Sequence, residues 1–319
     1  MTTNTKYYIG IDLGGTFIKG GVVDSNGEII LCDQIPTESE GGSEVVSKNI
    51  AKLALILLER CNLKLSDICG VGIGCPGMID SKTGNVIYSS NLNWTDFNIA
   101  NKVSELLSGI EVKVANDANV AALGEVKFGA AKDYDNAVMI TLGTGVGSGI
   151  ICDGVMIEGY LGAGSEFGHT VIRAGGEPCS CGRRGCFETY SSATALIRDT
   201  KRAMAAHPDS KMWEIGDLSA VTGKVSFDYA EVDPYAKEVV DSYIENLACG
   251  IVNAANIFRP QIVLLGGGVC GQGERLTKPL QELLDRDLFG AGRGPAVKIA
   301  IAKLGNNAGL LGAAALLMD

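Results

Sequence analysis

The chain has 319 residues, with 27 Lys plus Arg against 37 Asp plus Glu and a net charge of −10. At 46% hydrophobic and 20% charged residues, wholesale disorder is excluded, and a length of this order fits about two domains. The acidic balance without a basic run excludes an electrostatic footprint for nucleic acid or an anionic membrane, and no apolar run reaches the ~18 residues a membrane span needs.

The opening residues lack a basic segment followed by an apolar one, so a soluble cytoplasmic protein is expected. In that compartment its ten cysteines are expected to be reduced thiols. Cys32, Cys61, Cys69, Cys75, Cys152, Cys249 and Cys270 stand singly and read as small buried hydrophobes.

The β-rich run Tyr7–Ile11 predicts a strand, followed by a glycine turn over Asp12-Leu13-Gly14-Gly15-Thr16 and a returning strand to Val23. Asp24-Ser25-Asn26-Gly27 predicts a hairpin turn into a third strand ending near Cys32. Ser43 stands where it can cap a helix running to about Cys61, with apolar positions at Val46, Ile50, Leu53 and Leu57. Short strands follow at 70–74, ended by Pro76-Gly77, and at 112–115, which leads through Asn116-Asp117 into a helix to about Phe128.

The opening pattern then recurs: a strand over 138–142, a turn at Gly143-Thr144-Gly145, a returning strand to Cys152 and a turn at Asp153-Gly154. Both turns repeat at an offset of 129 residues, which suggests two related α/β halves. Beyond it, 235–258 reads as a long helix, 261–265 as a buried strand running into Gly266-Gly267-Gly268, 297–302 as a strand and 309–318 as a small-residue helix. The polar stretch from His207 to Asp233 carries no readable pattern.

Two side-chain-free turns let backbone N–H groups converge on phosphate, with Thr16 and Thr144 as hydroxyl donors; ordinary hairpin turns are the alternative. Asp12 beside a phosphate calls for a cation between them, Mg²⁺ being the usual one. No P-loop motif occurs. The Gly266-x-Gly268-x-x-Gly271 match leaves too few residues for a second mononucleotide half.

His169, Cys179, Cys181 and Cys186 supply three thiolates and an imidazole, a tetrahedral zinc set without an open position and hence structural. Disulfides, the alternative, conflict with a reducing compartment. The remaining histidine, His207, reads as a surface residue. Asp117, at a strand end and helix start, reads as a ready proton acceptor kept ionised by the helix N-terminus, or else as a plain helix cap. Asn116, Glu166 and Glu188 add polar groups near it or near the cysteine loop.

The combined motifs resemble the ROK family of repressors and sugar kinases, from Tyr8 to the C-terminus. They are the Asp12–Thr16 turn, Pro76-Gly77, Asn91-Leu92-Asn93-Trp94, Asn116-Asp117-Ala118-Asn119, Leu142–Gly147, Glu166–His169, Cys179–Glu188 and Leu265–Val269. The resemblance implies an α/β, actin-like ATPase fold of duplicated ribonuclease-H-like halves, two domains around a central cleft. The expected division is 1–117 plus a C-terminal helix at about 304–319, against 118–303 with the zinc loop.

It further implies ATP-dependent phosphorylation of a hexose, D-glucose above N-acetylmannosamine, fructose or allose, with Asp117 as general base. Gly77, Asn91, Asn116, Glu166, His169 and Glu188 would contact the sugar, His169 using one ring nitrogen for it and one for zinc. Asp12 would hold Mg²⁺; Gly14, Gly15, Thr16, Thr144, Gly145 and Gly147 would line the phosphates, and Gly267 and Gly268 the adenosine. A homodimer is implied as well. Ser148 and Ser165 depart from the family pattern, standing where smaller residues are usual. A sugar-responsive DNA-binding regulator, the other class in the family, carries a helix-turn-helix ahead of the sugar domain, for which the residues before Asp12 leave no room.

Overall fold

The structure is a computed structural model describing residues 6–318; residues 1–5 and 319 of the expected terminal segments lie outside them. Two compact units are present. The first holds the chain as far as Asp135, residues 149–165 and the segment from Lys303; the second holds Asn136–Ser148 and Glu166–Ala302.

In the first unit, β1 (Tyr7–Leu13), β2 (Phe17–Asp24) and β3 (Ile29–Pro36) form the antiparallel meander announced by the two turns. Asp24 closes the hairpin by accepting the N–H groups of Asn26 at 2.8 Å and Glu28 at 2.9 Å. Helix α1 (Gly42–Arg60) turns Val46, Ile50, Leu53 and Leu57 into the core, as their spacing requires. Its cap differs from expectation: Gly41 is the cap residue, and Ser43 lies inside the first turn.

Strand β4 (Ile68–Cys75) pairs parallel to β1. A small sheet follows, of β5 (Met78–Asp80), β6 (Asn85–Ser89) and β7 (Trp94–Asn98), then α2 (Ile99–Leu106). Strand β8 (Val112–Asn116) pairs parallel to β4 and feeds α3 (Asp117–Phe128), completing the order β3-β2-β1-β4-β8.

The second sheet repeats that plan. Strands β9 (Ala137–Leu142), β10 (Val146–Cys152) and β11 (Val155–Met156) are joined by β12 (Ile262–Gly266) and β13 (Lys298–Ile301) in the order β11-β10-β9-β12-β13. Strand β12 runs parallel to both β9 and β13, as β4 does to β1 and β8. The 129-residue offset therefore marks equivalent strands in equivalent places.

Between β10 and β12 lie the cysteine loop, α4 (Glu188–Ser191), α5 (Ala193–Ala206), α6 (Val225–Tyr229) and α7 (Pro234–Phe258). The unreadable stretch after His207 is built of short 3₁₀ turns around a satellite core of Met204, Met212, Val221, Val225 and Ala236. Asp233 anchors it, capping α7 and accepting from the Ser210 hydroxyl. His207 is half-exposed and stacks on Tyr235 at 3.6 Å.

Helix α8 (Glu274–Asp287) follows β12 after a 3₁₀ turn at Gly268–Gln272 rather than directly, unlike a dinucleotide fingerprint. The C-terminal segment forms a 3₁₀ turn at Gly305–Asn307 and α9 (Ala308–Ala315). The single cysteines correct the expectation of uniform burial: Cys75 and Cys270 are buried, whereas Cys32, Cys69 and Cys249 are exposed. Cys32 lies on the edge strand β3, where alternate residues face outward. No helix among the described residues is long and apolar enough to cross a membrane.

Candidate functional site

In the first unit, chemistry-bearing groups gather at the C-terminal ends of adjacent parallel strands, where open α/β sheets place ligands. Asp12 ends β1, Pro76-Gly77 follows β4, and Asn116-Asp117 closes β8. Asn116 is the cap of α3: its Oδ1 accepts the N–H groups of Ala118 at 2.9 Å and Asn119 at 3.2 Å, and its amide donates to Gly77 O at 3.1 Å. That frees Asp117 from capping duty, although its Oδ1 also accepts the Ala118 N–H at 2.9 Å.

Burial raises the Asp117 carboxyl above its ordinary 3.8, outweighing the lowering by the backbone N–H groups at the helix start and by Asn116. Desolvation is thus the largest influence on this carboxyl, ahead of the hydrogen bonds at the helix start. Asp12 is raised as well, by burial and then by the Asp117 charge, with Lys19 opposing. The Asp12 carboxyl offers hard oxygen donors, and the repulsive Asp117 charge beside it is of the kind a divalent cation relieves, so Mg²⁺ fits at Asp12.

The first glycine turn is closed by Gly14 N–H on Phe17 O at 3.0 Å and leaves Gly15 and Thr16 exposed. Thr37, fully buried, braces it from behind: its hydroxyl donates to Gly14 O at 2.6 Å and its N–H to Thr16 O at 2.9 Å. Asn91 is exposed, its carbonyl 3.7 Å from where a side chain on Gly15 would begin.

In the second unit, the matching turn follows β9. Gly143 N–H donates to Gly145 O at 3.0 Å, Thr144 is exposed, and Ala193 N–H at the start of α5 braces Gly143 O at 2.9 Å. Gly147 continues it within β10. Gly267, with φ 93°, follows the neighbouring parallel strand β12, and a Cβ there would lie 2.4 Å from Leu142 O. Gly268 has open space beside it.

Glu188 links this turn to the cysteine loop. Its Oε2 accepts the Val146 N–H at 3.0 Å and its Oε1 the Cys179 thiol at 3.7 Å. A side chain on Gly145 would start 2.1 Å from that carboxylate and would push it aside. Ser148, buried, accepts the Phe167 N–H at 3.1 Å and so fixes the Glu166–His169 turn against β10. Ser165 sits at φ 64° with its hydroxyl on Ile157 O. A left-handed backbone of this kind explains why a small residue is usual there.

The ligand atoms of His169, Cys179, Cys181 and Cys186 all lie within 4.8 Å of one another. Cys181 and Cys186 sulfurs are 3.7 Å apart, and Cys179 Sγ is 3.6 Å from His169 Nδ1. A zinc tetrahedron with ordinary bond lengths has S–S edges of about 3.8 Å and S–N edges of about 3.6 Å. A disulfide needs about 2.05 Å. The set thus fits zinc and excludes the disulfide alternative in this structure. A tight turn from Cys179 to Arg183, with Gly182 at φ 86° and Gly185 at φ 83°, brings the three cysteines to one point.

Comparison with known proteins agrees with these features. The sequence profile of the ROK family matches residues 8–319. The chain belongs to the ROK family. Among ROK relatives it is 38% identical over 315 residues to the glucokinase of Halalkalibacterium halodurans, covering 96% of this chain and 93% of that one. It is similar to the crystal structure of a ROK family glucokinase from Streptomyces griseus in complex with glucose and AMPPNP, at 34% identity and TM-score 0.79 over 97% of this chain and 98% of the other. It is also similar to the ROK hexokinase from Thermus thermophilus, at 32% identity and TM-score 0.80 over 97% and 96% of the two chains. The ROK chain accordingly has the actin-like ATPase fold, visible in its two sheets of matching strand order.

The residues that support this ROK site carry weaker sequence signals than its motifs. Thr37 carries no local signal, being one threonine beyond the end of a strand. Lys19 was within reach, because strand register places it directly opposite Asp12. Ser148 showed itself only as a departure from the family pattern.

Proposed function

We propose that the protein is an ATP-dependent hexokinase acting on D-glucose to give glucose 6-phosphate. One observation carries the reading: a desolvated Asp117, relieved of helix capping by Asn116, stands at the C-terminus of β8 with Asp12 at the same end of β1, two strands across the sheet. The similarity to glucokinases across the whole chain supports glucose as the acceptor.

In this reading Asp117 accepts the proton of the sugar's primary hydroxyl as its oxygen bonds to the γ-phosphorus. The bond from that phosphorus to the β–γ bridging oxygen breaks, and ADP leaves. A carboxyl raised above its ordinary value by burial is a stronger base than an exposed one, which favours base catalysis. Asn116, Gly77 and Asn91, with Glu166, His169 and Glu188, hold the sugar hydroxyls. Fixing the acceptor oxygen against the phosphorus is the larger part of the barrier reduction.

The backbone N–H groups of Gly15, Thr16, Thr144, Gly145 and Gly147 take the phosphate oxygens, Gly14 shaping the first turn through its own N–H on Phe17 O, and Gly267 and Gly268 let the adenosine lie against backbone. Asp12 would hold Mg²⁺, which would supply charge neutralisation on the transferring phosphates. His169, Cys179, Cys181 and Cys186 would hold zinc in a structural role, which would keep the His169 ring and Glu188 oriented.

The test is ADP release coupled to a panel of hexoses with ATP and Mg²⁺. D-glucose as the best acceptor by kcat/KM supports the reading. Turnover with N-acetylmannosamine, fructose or allose exceeding that with glucose would move the assignment within the family, and no turnover with any of them would remove it.

A further inference from the structure

We propose that Gly309, on α9, is a positioning residue for the phosphate-transfer site: its missing side chain sets where the Asp12 carboxylate stands. This rests on the kinase reading above and adds to it a residue outside every glycine turn.

The first observation is a distance. A methyl group added at Gly309 would lie 2.7 Å from both Cγ and Oδ2 of Asp12 and 3.1 Å from Oδ1. No carboxylate tolerates a carbon so close, so one of three things must move: the helix, the strand or the carboxylate.

The helix is locked. A side chain at Gly10 on β1 would start 2.0 Å from Leu310 O, and one at Gly72 on β4 would start 1.8 Å from Ala313 O. On the other side, Gly124 of α3 approaches Ala308 O to 2.6 Å, and Gly312 approaches Val120 O to 1.6 Å, by the same measure. Helix α9 is thus in backbone contact with two strands and a helix through four glycines. The turn before it is pinned too: Lys19, opposite Asp12 in the β1–β2 register, donates from Nζ to Asn306 O at 2.8 Å and Asn307 Oδ1 at 2.6 Å. Strand β1 is held on both edges by β2 and β4. The remaining freedom is the Asp12 side chain, which a methyl at 309 would rotate away.

Rotation of a carboxylate moves its oxygens by about 1 Å or more, and misplacement on that scale costs ~10²-fold in a positioned reaction. The effect should appear in the cation requirement and not in sugar binding, since Asp12 is the proposed cation holder. Alanine is a better helix former than glycine, so Gly309→Ala brings no intrinsic helix penalty.

The experiment compares wild type, Gly309→Ala, Asp12→Asn, the double variant and Gly312→Ala as full chains. Calorimetry measures ADP binding across a MgCl₂ series and D-glucose binding without nucleotide, and thermal melting is recorded alongside. The expected result for Gly309→Ala is a melting temperature at or above wild type and a glucose Kd within about twofold. The Mg²⁺ concentration for half of the gain in ADP affinity should rise about tenfold or more. The double variant should match Asp12→Asn alone. An unchanged Mg²⁺ dependence in Gly309→Ala would overturn the proposal. So would a fall in melting temperature as steep as that of Gly312→Ala, because the helix would then have moved instead of the carboxylate. A wild-type chain that binds Mg²⁺ with ADP yet phosphorylates no hexose would remove the kinase reading while leaving the Gly309 result to be read separately.

Discussion

Glu125 gives the sharpest stability prediction. It is fully buried in α3, yet it carries a carboxylate. The Ala130 N–H donates to its Oε2 at 2.7 Å and the Leu304 N–H to its Oε1 at 2.7 Å, while its own carbonyl accepts the N–H groups of Gly129 and Ala131 at 3.0 Å. One residue thereby ties the end of α3 to the segment that leads into α9. Glu125→Ala strands two buried N–H donors, each costing about 1–3 kcal/mol, and opens a small cavity, for a total of about 3–5 kcal/mol. Glu125→Gln keeps one acceptor oxygen but turns an amide N–H₂ toward a donor, costing about 2 kcal/mol. At about 2 °C per kcal/mol for a chain of this size, the melting temperature should fall by about 6–10 °C for alanine and about 4 °C for glutamine. Differential scanning calorimetry reads both. An alanine variant melting with wild type, or glutamine costing more than alanine, would refute the reasoning.

Burial raises Asp12 and Asp117 above 3.8, so the folded chain binds protons there at higher pH than the unfolded chain. These two groups therefore oppose folding at neutral pH and cease to do so as pH falls to their ordinary value. Asp117→Asn should accordingly melt above wild type near pH 7, with the gain shrinking toward about pH 4 in melting scans; a variant less stable at neutral pH contradicts this. The same raised pKa places the acid limb of the wild-type kcat profile above the ordinary aspartate range, and stopped assays across pH should find turnover falling as pH drops through it. Ser148→Ala removes the acceptor of the buried Phe167 N–H, costing about 1–2 kcal/mol; steady-state kinetics should show this largely as a raised glucose KM, from loosening of the Glu166–His169 turn. Elemental analysis should find one zinc per chain, and stripping it with a chelator should make the 175–185 loop sensitive to protease; a metal-free protein with a resistant loop contradicts the zinc assignment.

Much of the fold was legible because its signals are local. The Asp24–Gly27 hairpin, the two glycine turns and the long periodic helices α1 and α7 declare themselves in a few residues each, and the offset between the turns announces the repeated sheet order. The small sheet β5–β6–β7 was missed because its strands are only three to five residues long, too short to show an alternating pattern. The stretch after His207 failed likewise, since short 3₁₀ turns have no amphipathic period. In the site, motif residues were readable and their supports were not. Glu125 looks like a surface charge on a helix, and Gly309 like one more small residue in an apolar run. Their roles come from backbone brought close by distant parts of the chain. Asp117 shows the same limit in its electrostatics: the helix start is visible in sequence, whereas the burial that outweighs it is a property of the fold.

The central claim is that Asp117 takes the proton from a glucose hydroxyl during phosphoryl transfer from ATP. The most direct test measures glucose-dependent ADP formation and equilibrium glucose binding side by side for wild type and Asp117→Asn. The account predicts a kcat lowered by about 10²–10⁴-fold with glucose affinity changed only a few-fold. Near wild-type turnover in the asparagine variant would contradict it.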